Sequence, residues 1–106
     1  MKNAVLKKEA VERIRRIHRL SRAYNKRKEL GHGQKLLEMM KHHVVEIEEL
    51  LKKQDRHALV ETGDLVVLCC EMLMENKASV DGMLLRSLDR FEKKLNRLKR
   101  KGRSKE

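Results

Sequence analysis

The chain is expected to be all-α, a four-helix bundle, and three observations lead there. Charged residues make up 41% of the 106 residues and hydrophobic residues 40%, with no Pro, one Tyr and one Phe. That composition is rich in helix formers and poor in the β-branched and aromatic runs that strands need. Apolar residues also recur every three or four positions in four successive segments, the spacing of one helix face. Turn and capping residues fall between those segments. A chain of this length holds one core. Residues 1–99 are read as a single helical domain and residues 100–106 as a basic, flexible tail.

The first helix is expected over residues 3–29. Leu6, Ala10, Ile14, Ile17, Ser21 and Tyr24 line one face, opposite an Arg/Lys face built from Arg13, Arg15, Arg16, Arg19, Arg22 and Lys26. Gly31-His32-Gly33 interrupts it, because paired glycines favour a C-cap and turn. The second helix covers about residues 34–53, with Leu36, Met40, Val44, Ile47 and Leu51 in one apolar line. Asp55 is the expected N-cap of a third helix that ends near Asn76-Lys77. Ser79 then caps a fourth, where Asp81 sits in the first turn and favours the helix dipole. Leu84, Leu88, Phe91, Leu95 and Leu98 form its stripe. Short connections between four such helices imply a bundle.

The third helix is unusual. From His57 to Glu75 it is apolar almost all round, yet Glu61, Asp64, Glu71 and Glu75 gather within roughly 80° of its circumference. No Lys or Arg shares that stripe. A solvated helix face usually mixes signs, since opposite charges at (i, i+4) are mildly stabilising and like charges are not. A cationic ligand would account for the stripe.

Charge is unevenly placed along the chain. The formal net charge of +11 divides into +9 over residues 1–35, −5 over residues 36–85 and +7 over residues 86–106. An acidic middle between two basic arms suits a polyanionic partner, either a nucleic acid or a nucleotide phosphate. No apolar run reaches bilayer-spanning length and no signal-peptide core opens the chain, so no membrane is expected and the cytoplasm is the expected compartment. Cys69 and Cys70 are adjacent on a helix, a poor geometry for a disulfide, and are expected to pack as buried thiols.

The second and third helices carry the residues suited to chemistry. His43 lies within the second helix's apolar arc and Glu46, one turn on, at the arc's edge, and Glu61 and Asp64 lie one turn apart on the third. An antiparallel hairpin would bring these four together. Three carboxylates and an imidazole can bind a divalent cation: the oxygens suit Mg²⁺ or Mn²⁺, and the imidazole also admits Fe²⁺. The plainer alternative makes His43 a hydrogen-bonded core histidine and Glu46 a solvated edge residue. His18, His32 and His57 show no partner spacing and receive no role.

Residues 36–94 resemble the MazG-like group of all-α nucleoside triphosphate pyrophosphohydrolases. The family pattern is Glu-Glu-x-x-Glu on one helix and Glu-x-x-Asp at the start of the next, followed by an apolar run. The corresponding stretches here are His42-His43-Val44-Val45-Glu46 and Glu61-Thr62-Gly63-Asp64-Leu65-Val66, and Leu88-Asp89-Arg90-Phe91-Glu92-Lys93 also fits. The paired family glutamates fall on His42 and His43, so Glu46, Glu61 and Asp64 carry over directly. The resemblance implies a MazG-like core over residues 34–98 and a Mg²⁺ (or Mn²⁺) centre at His43, Glu46, Glu61 and Asp64. It also implies cleavage of a nucleoside triphosphate to monophosphate and pyrophosphate, with Glu61 as proton acceptor. An imidazole at position 43 supplies one negative charge fewer, which lowers Mg²⁺ affinity and favours softer ions. Lys35, Arg86 and Arg90 are the expected phosphate contacts, and a homo-oligomer, dimer or tetramer, is expected because family sites are composite.

A second reading is a non-catalytic bundle of the same shape that binds nucleic acid through its basic arms. With one Tyr and one Phe, such binding would follow the phosphate backbone rather than base stacking. A third is a scaffold in which the acidic stripe of one subunit docks the basic helix of another.

Overall fold

The computed structural model describes residues 5–25 and 31–104. The helices are α1 (Lys8–Asn25), α2 (His32–Lys52), α3 (His57–Glu75) and α4 (Val80–Ser104), and no strand occurs among the described residues. All-α architecture with four helices follows the sequence expectation. The outer ends of the expected first helix, at residues 3–4 and 26–29, lie outside the described residues. α4 runs through Arg100 to Ser104 without a break, further than the flexible tail expected from residue 100.

The turns are closed by specific hydrogen bonds. Ser79 Oγ accepts from the Gly82 amide at 3.0 Å, three residues on, as an N-cap does. Asp55 accepts from the His57 amide at 2.9 Å, although the residue directly preceding α3 is Arg56. Asp81, at the start of α4, reaches across to the other end of the chain, and its Oδ1 accepts the amides of Val5 and Leu6 at 3.1 and 2.9 Å. α2 and α3 both end in Schellman motifs. Asp55 N–H donates to Leu50 O and Gln54 N–H to Leu51 O; Ala78 N–H donates to Leu73 O and Lys77 N–H to Met74 O. The residues that take the left-handed conformation are Gln54 (φ 57°) and Lys77 (φ 59°), not glycines.

α2 and α3 form an antiparallel hairpin, the most extensive packing in the chain. α1 lies antiparallel along the C-terminal half of α3 and touches the start of α2. α4 departs from the expected bundle. Val80 is buried, but every residue from Leu88 to Gly102 is exposed, so the helix is anchored only at its beginning.

The buried apolar set among the described residues is correspondingly small: Leu36, Ala58, Leu68, Cys70 and Val80. Cys69, expected inside, is exposed, because neighbours about 100° apart on a helix cannot both face one core. The surface is 9147 Å², against about 6,200 Å² for a compact monomer of 12.6 kDa. The radius of gyration is 17.2 Å, against about 13 Å for a compact domain of 100 residues. Val44, Leu51, Leu59 and Val66 are exposed on the hairpin, and Leu88, Phe91, Leu95 and Leu98 on α4. The apolar periodicity of the sequence is real, but this single chain covers only part of it.

Candidate functional site

Antiparallel pairing of α2 and α3 places His43 opposite the first two turns of α3. Ligand atoms of His43, Glu61 and Asp64 lie within 4.8 Å of one another. His43 Nδ1 is 2.9 Å from the carbonyl of Met39, one turn back on α2. A carbonyl only accepts, so Nδ1 carries the proton and Nε2 is the free ring nitrogen. Nε2 faces Glu61 Oε1 at 3.4 Å. The other carboxylate oxygen of Glu61, Oε2, is 3.4 Å from His57 Nε2, an (i, i+4) neighbour on α3. A spacing of four residues therefore does give His57 a partner, contrary to the sequence reading.

The electrostatics of this corner are defined by that pairing. A neutral imidazole with its proton on Nδ1 turns a lone pair toward a carboxylate oxygen, an arrangement of two acceptors. Either a proton or a metal cation between them makes it favourable. His43 and Glu61 are half-buried, while Asp64 is exposed and leaves the corner open to a ligand. The residues present suit a divalent cation: one imidazole nitrogen fixed by a backbone hydrogen bond and two carboxylates.

Glu46, the fourth expected ligand, is exposed on α2 and stands outside this group. His42 is likewise exposed. Among the expected phosphate contacts, Lys35 is half-buried in the first turns of α2. Arg86 and Arg90 are exposed on α4, and the Arg90 guanidinium donates to Ser87 Oγ at 3.1 Å. Arg90, Phe91, Lys93, Lys94 and Arg97 form an exposed, mainly basic stretch of α4. The described residues thus bring three of the four expected ligands together, while Lys35 lies eight residues before His43 on α2 and Arg86 and Arg90 stand on α4.

A second group joins α1, the start of α2 and the end of α3. His18, His32 and Glu75 offer ligand atoms within 4.8 Å of one another, with Glu71 and Ser21 beside them. Sequence reading assigned these histidines nothing, because their partners are 39 to 57 positions away. The signal that could have pointed to them is the acidic stripe. Its two halves meet histidines at both ends: His43 and His57 at Glu61, His32 at Glu71, and His18 together with Arg22 at Glu75.

Comparison with protein-family models, with curated proteins and with solved structures finds no significant match.

Proposed function

We propose that the protein is a metal-dependent nucleotide pyrophosphohydrolase that acts as a homo-oligomer. The observation that carries this reading is His43 Nε2 turned toward Glu61 Oε1, with Asp64 alongside and Nδ1 committed to Met39. The MazG-like pattern at Glu61-Thr62-Gly63-Asp64 agrees with it. His43, Glu61 and Asp64 would hold Mg²⁺ or Mn²⁺. When bound, such a cation supplies charge neutralisation for phosphate oxygens and acidifies water.

The chain's own residues supply the rest. Water attacks the α-phosphorus of the nucleoside triphosphate, the α–β P–O bond breaks, and pyrophosphate leaves. The half-buried Glu61 carboxylate accepts the proton of the attacking water. Lys35 and the α4 cations Arg86 and Arg90 offset the phosphate charge. Arg86 and Arg90 do so from a second copy, which the uncovered stripe Leu88, Phe91, Leu95 and Leu98 favours. The test is pyrophosphate release from a panel of nucleoside triphosphates with Mg²⁺ or Mn²⁺. Divalent-dependent turnover that is lost in Asp64→Asn is the expected result. Turnover unchanged in that variant, or none with any nucleotide, overturns the reading.

The exposed basic stretch of α4 favours one alternative, binding of nucleic acid along its phosphate backbone. That mode weakens with salt by about 0.9 log units per log unit of salt for each duplex phosphate contacted. A steep slope reduced in Lys93→Gln/Lys94→Gln, together with absent turnover, would select it.

A further inference from the structure

The second His–Glu group lies on the opposite half of the α2–α3 hairpin from the first, and its parts are better enclosed. The side chains of His18, His32, Glu71 and Glu75 are 12%, 8%, 4% and 17% exposed. They come from three helices: His18 from α1, His32 from the first turn of α2, and both glutamates from the last turns of α3. His18 Nε2 is 2.9 Å from Glu75 Oε1, and the two imidazole centroids are 5.5 Å apart.

Hydrogen bonding leaves this group incomplete. Ser21 Oγ donates to Glu71 Oε1, so it can only accept from His32 Nε2, 3.3 Å away. Nδ1 of His32 is then a bare acceptor. It is buried and has no hydrogen-bond partner among the described residues. A buried polar atom left unpaired costs free energy, and an imidazole lone pair is a common metal ligand. Charge points the same way. Two carboxylates are largely withdrawn from water here, whereas the fixed positive charge paired with them among the described residues, Arg22, is 54% exposed and reaches Glu75 at 3.2 Å.

We propose that His18, His32 and Glu75, with Glu71 beside them, form a structural site for a zinc-like divalent transition ion that fastens α1 to the α2–α3 hairpin. Two imidazole nitrogens and a carboxylate oxygen suit zinc and its neighbours; Mg²⁺ and Ca²⁺ prefer oxygen alone. Such an ion balances the carboxylates and gives His32 its missing partner. It also joins three helices in a region where α1 otherwise leaves Leu20 and Tyr24 exposed. Arg22, on the rim, is free to swing aside as the ion enters. The site is independent of Asp64 and of any nucleotide chemistry.

Chelator-stripped protein carrying Asp64→Asn and Glu61→Gln, which lacks both carboxylates of the first centre, is titrated with Co²⁺ and Zn²⁺. The readouts are calorimetry, the visible absorption of bound Co²⁺ and the thermal midpoint. One equivalent is expected to bind, with a Co²⁺ ligand-field band, a raised midpoint and no displacement by millimolar Mg²⁺. His32→Gln and Glu75→Gln, each on that background, are expected to weaken Co²⁺ by more than the about 100-fold that loss of an outer hydrogen-bond partner can cost. If one variant fails to fold, the other decides. Absence of binding in that background, or affinity within threefold of it in both variants built on it, overturns the proposal.

Discussion

His43 presents Nε2 to Glu61 Oε1 across 3.4 Å while its Nδ1 proton is held by the carbonyl of Met39. Helix α2 itself therefore chooses the tautomer, and the choice leaves an imidazole lone pair facing a carboxylate. A proton or a metal cation between the two makes that pair favourable. This single relationship links an (i, i−4) side-chain-to-backbone bond, a hairpin register and a candidate chemistry.

Replacing the imidazole by a carboxylate changes which ion suits the corner. His43→Glu adds a negative charge and a hard oxygen ligand, so Mg²⁺ is expected to gain about tenfold relative to Mn²⁺. Calorimetric titration of the metal-free protein with each ion measures the ratio. An unchanged ratio would mean that residue 43 does not ligate.

The stripe on α4 makes a separate expectation. Phe91 and Leu95 are 64% and 62% exposed in the single chain, which a second copy would correct. Burying one Leu side chain is worth about 1.5–3 kcal/mol. Leu95→Glu removes that gain in each copy and introduces a buried charge. The subunit dissociation constant is expected to rise at least about 100-fold, an effect of about 2.7 kcal/mol or more. Light scattering across a dilution series reads it, with an intact assembly for Leu95→Glu as the contrary result.

Much of the fold was legible, and the omissions have physical causes. Ser79 as an N-cap and the one-turn spacing of Glu61 and Asp64 rest on local sequence, whereas Gly31-His32-Gly33 reads as a turn and instead supplies the N-cap of α2 at Gly31, with His32 and Gly33 in its first turn. The departure of α4 is not local. Its Leu88-to-Leu98 stripe reads the same whether the partner surface belongs to this chain or another. Glu46 was placed by spacing at the edge of an arc, and a rotation of a few tens of degrees separates a converging edge from a solvated one. His18 was invisible because its partner Glu75 depends on how α1 lies across the hairpin, whereas His32 meets Glu71 in the same α2–α3 register as His43 meets Glu61 and was missed because it reads as part of a turn.

The two left-handed positions offer a stability test. Gln54 and Lys77 sit at φ 57° and 59° at the ends of α2 and α3, where an L side chain meets its own backbone and glycine does not. Gln54→Gly and Lys77→Gly are each expected to stabilise the fold by about 0.5–1 kcal/mol, the steric relief exceeding the greater entropy of glycine in the unfolded chain. Both are exposed, so no packing is lost. Urea unfolding midpoints measure the gain, and a lower midpoint for both variants would contradict the Schellman geometry.

Cys70 makes the stability depend on pH at the alkaline end. Burial pushes its thiol above the ordinary value of 9.0, and a negative charge on neighbouring Cys69 pushes it the same way. The native state then holds this proton more tightly than the unfolded chain does. Stability is flat with respect to this group below about pH 8 and declines once pH passes the unfolded thiol value, as the unfolded state ionises first. Cys70→Ala is expected to reduce that alkaline slope while creating a small cavity that lowers stability by about 1 kcal/mol at neutral pH. Exposure sets the alkylation order as well. At pH 8 iodoacetamide is expected to modify the exposed Cys69 and to reach Cys70 only on unfolding. Peptide mapping after timed alkylation distinguishes the two, and equal rates would place Cys70 at the surface.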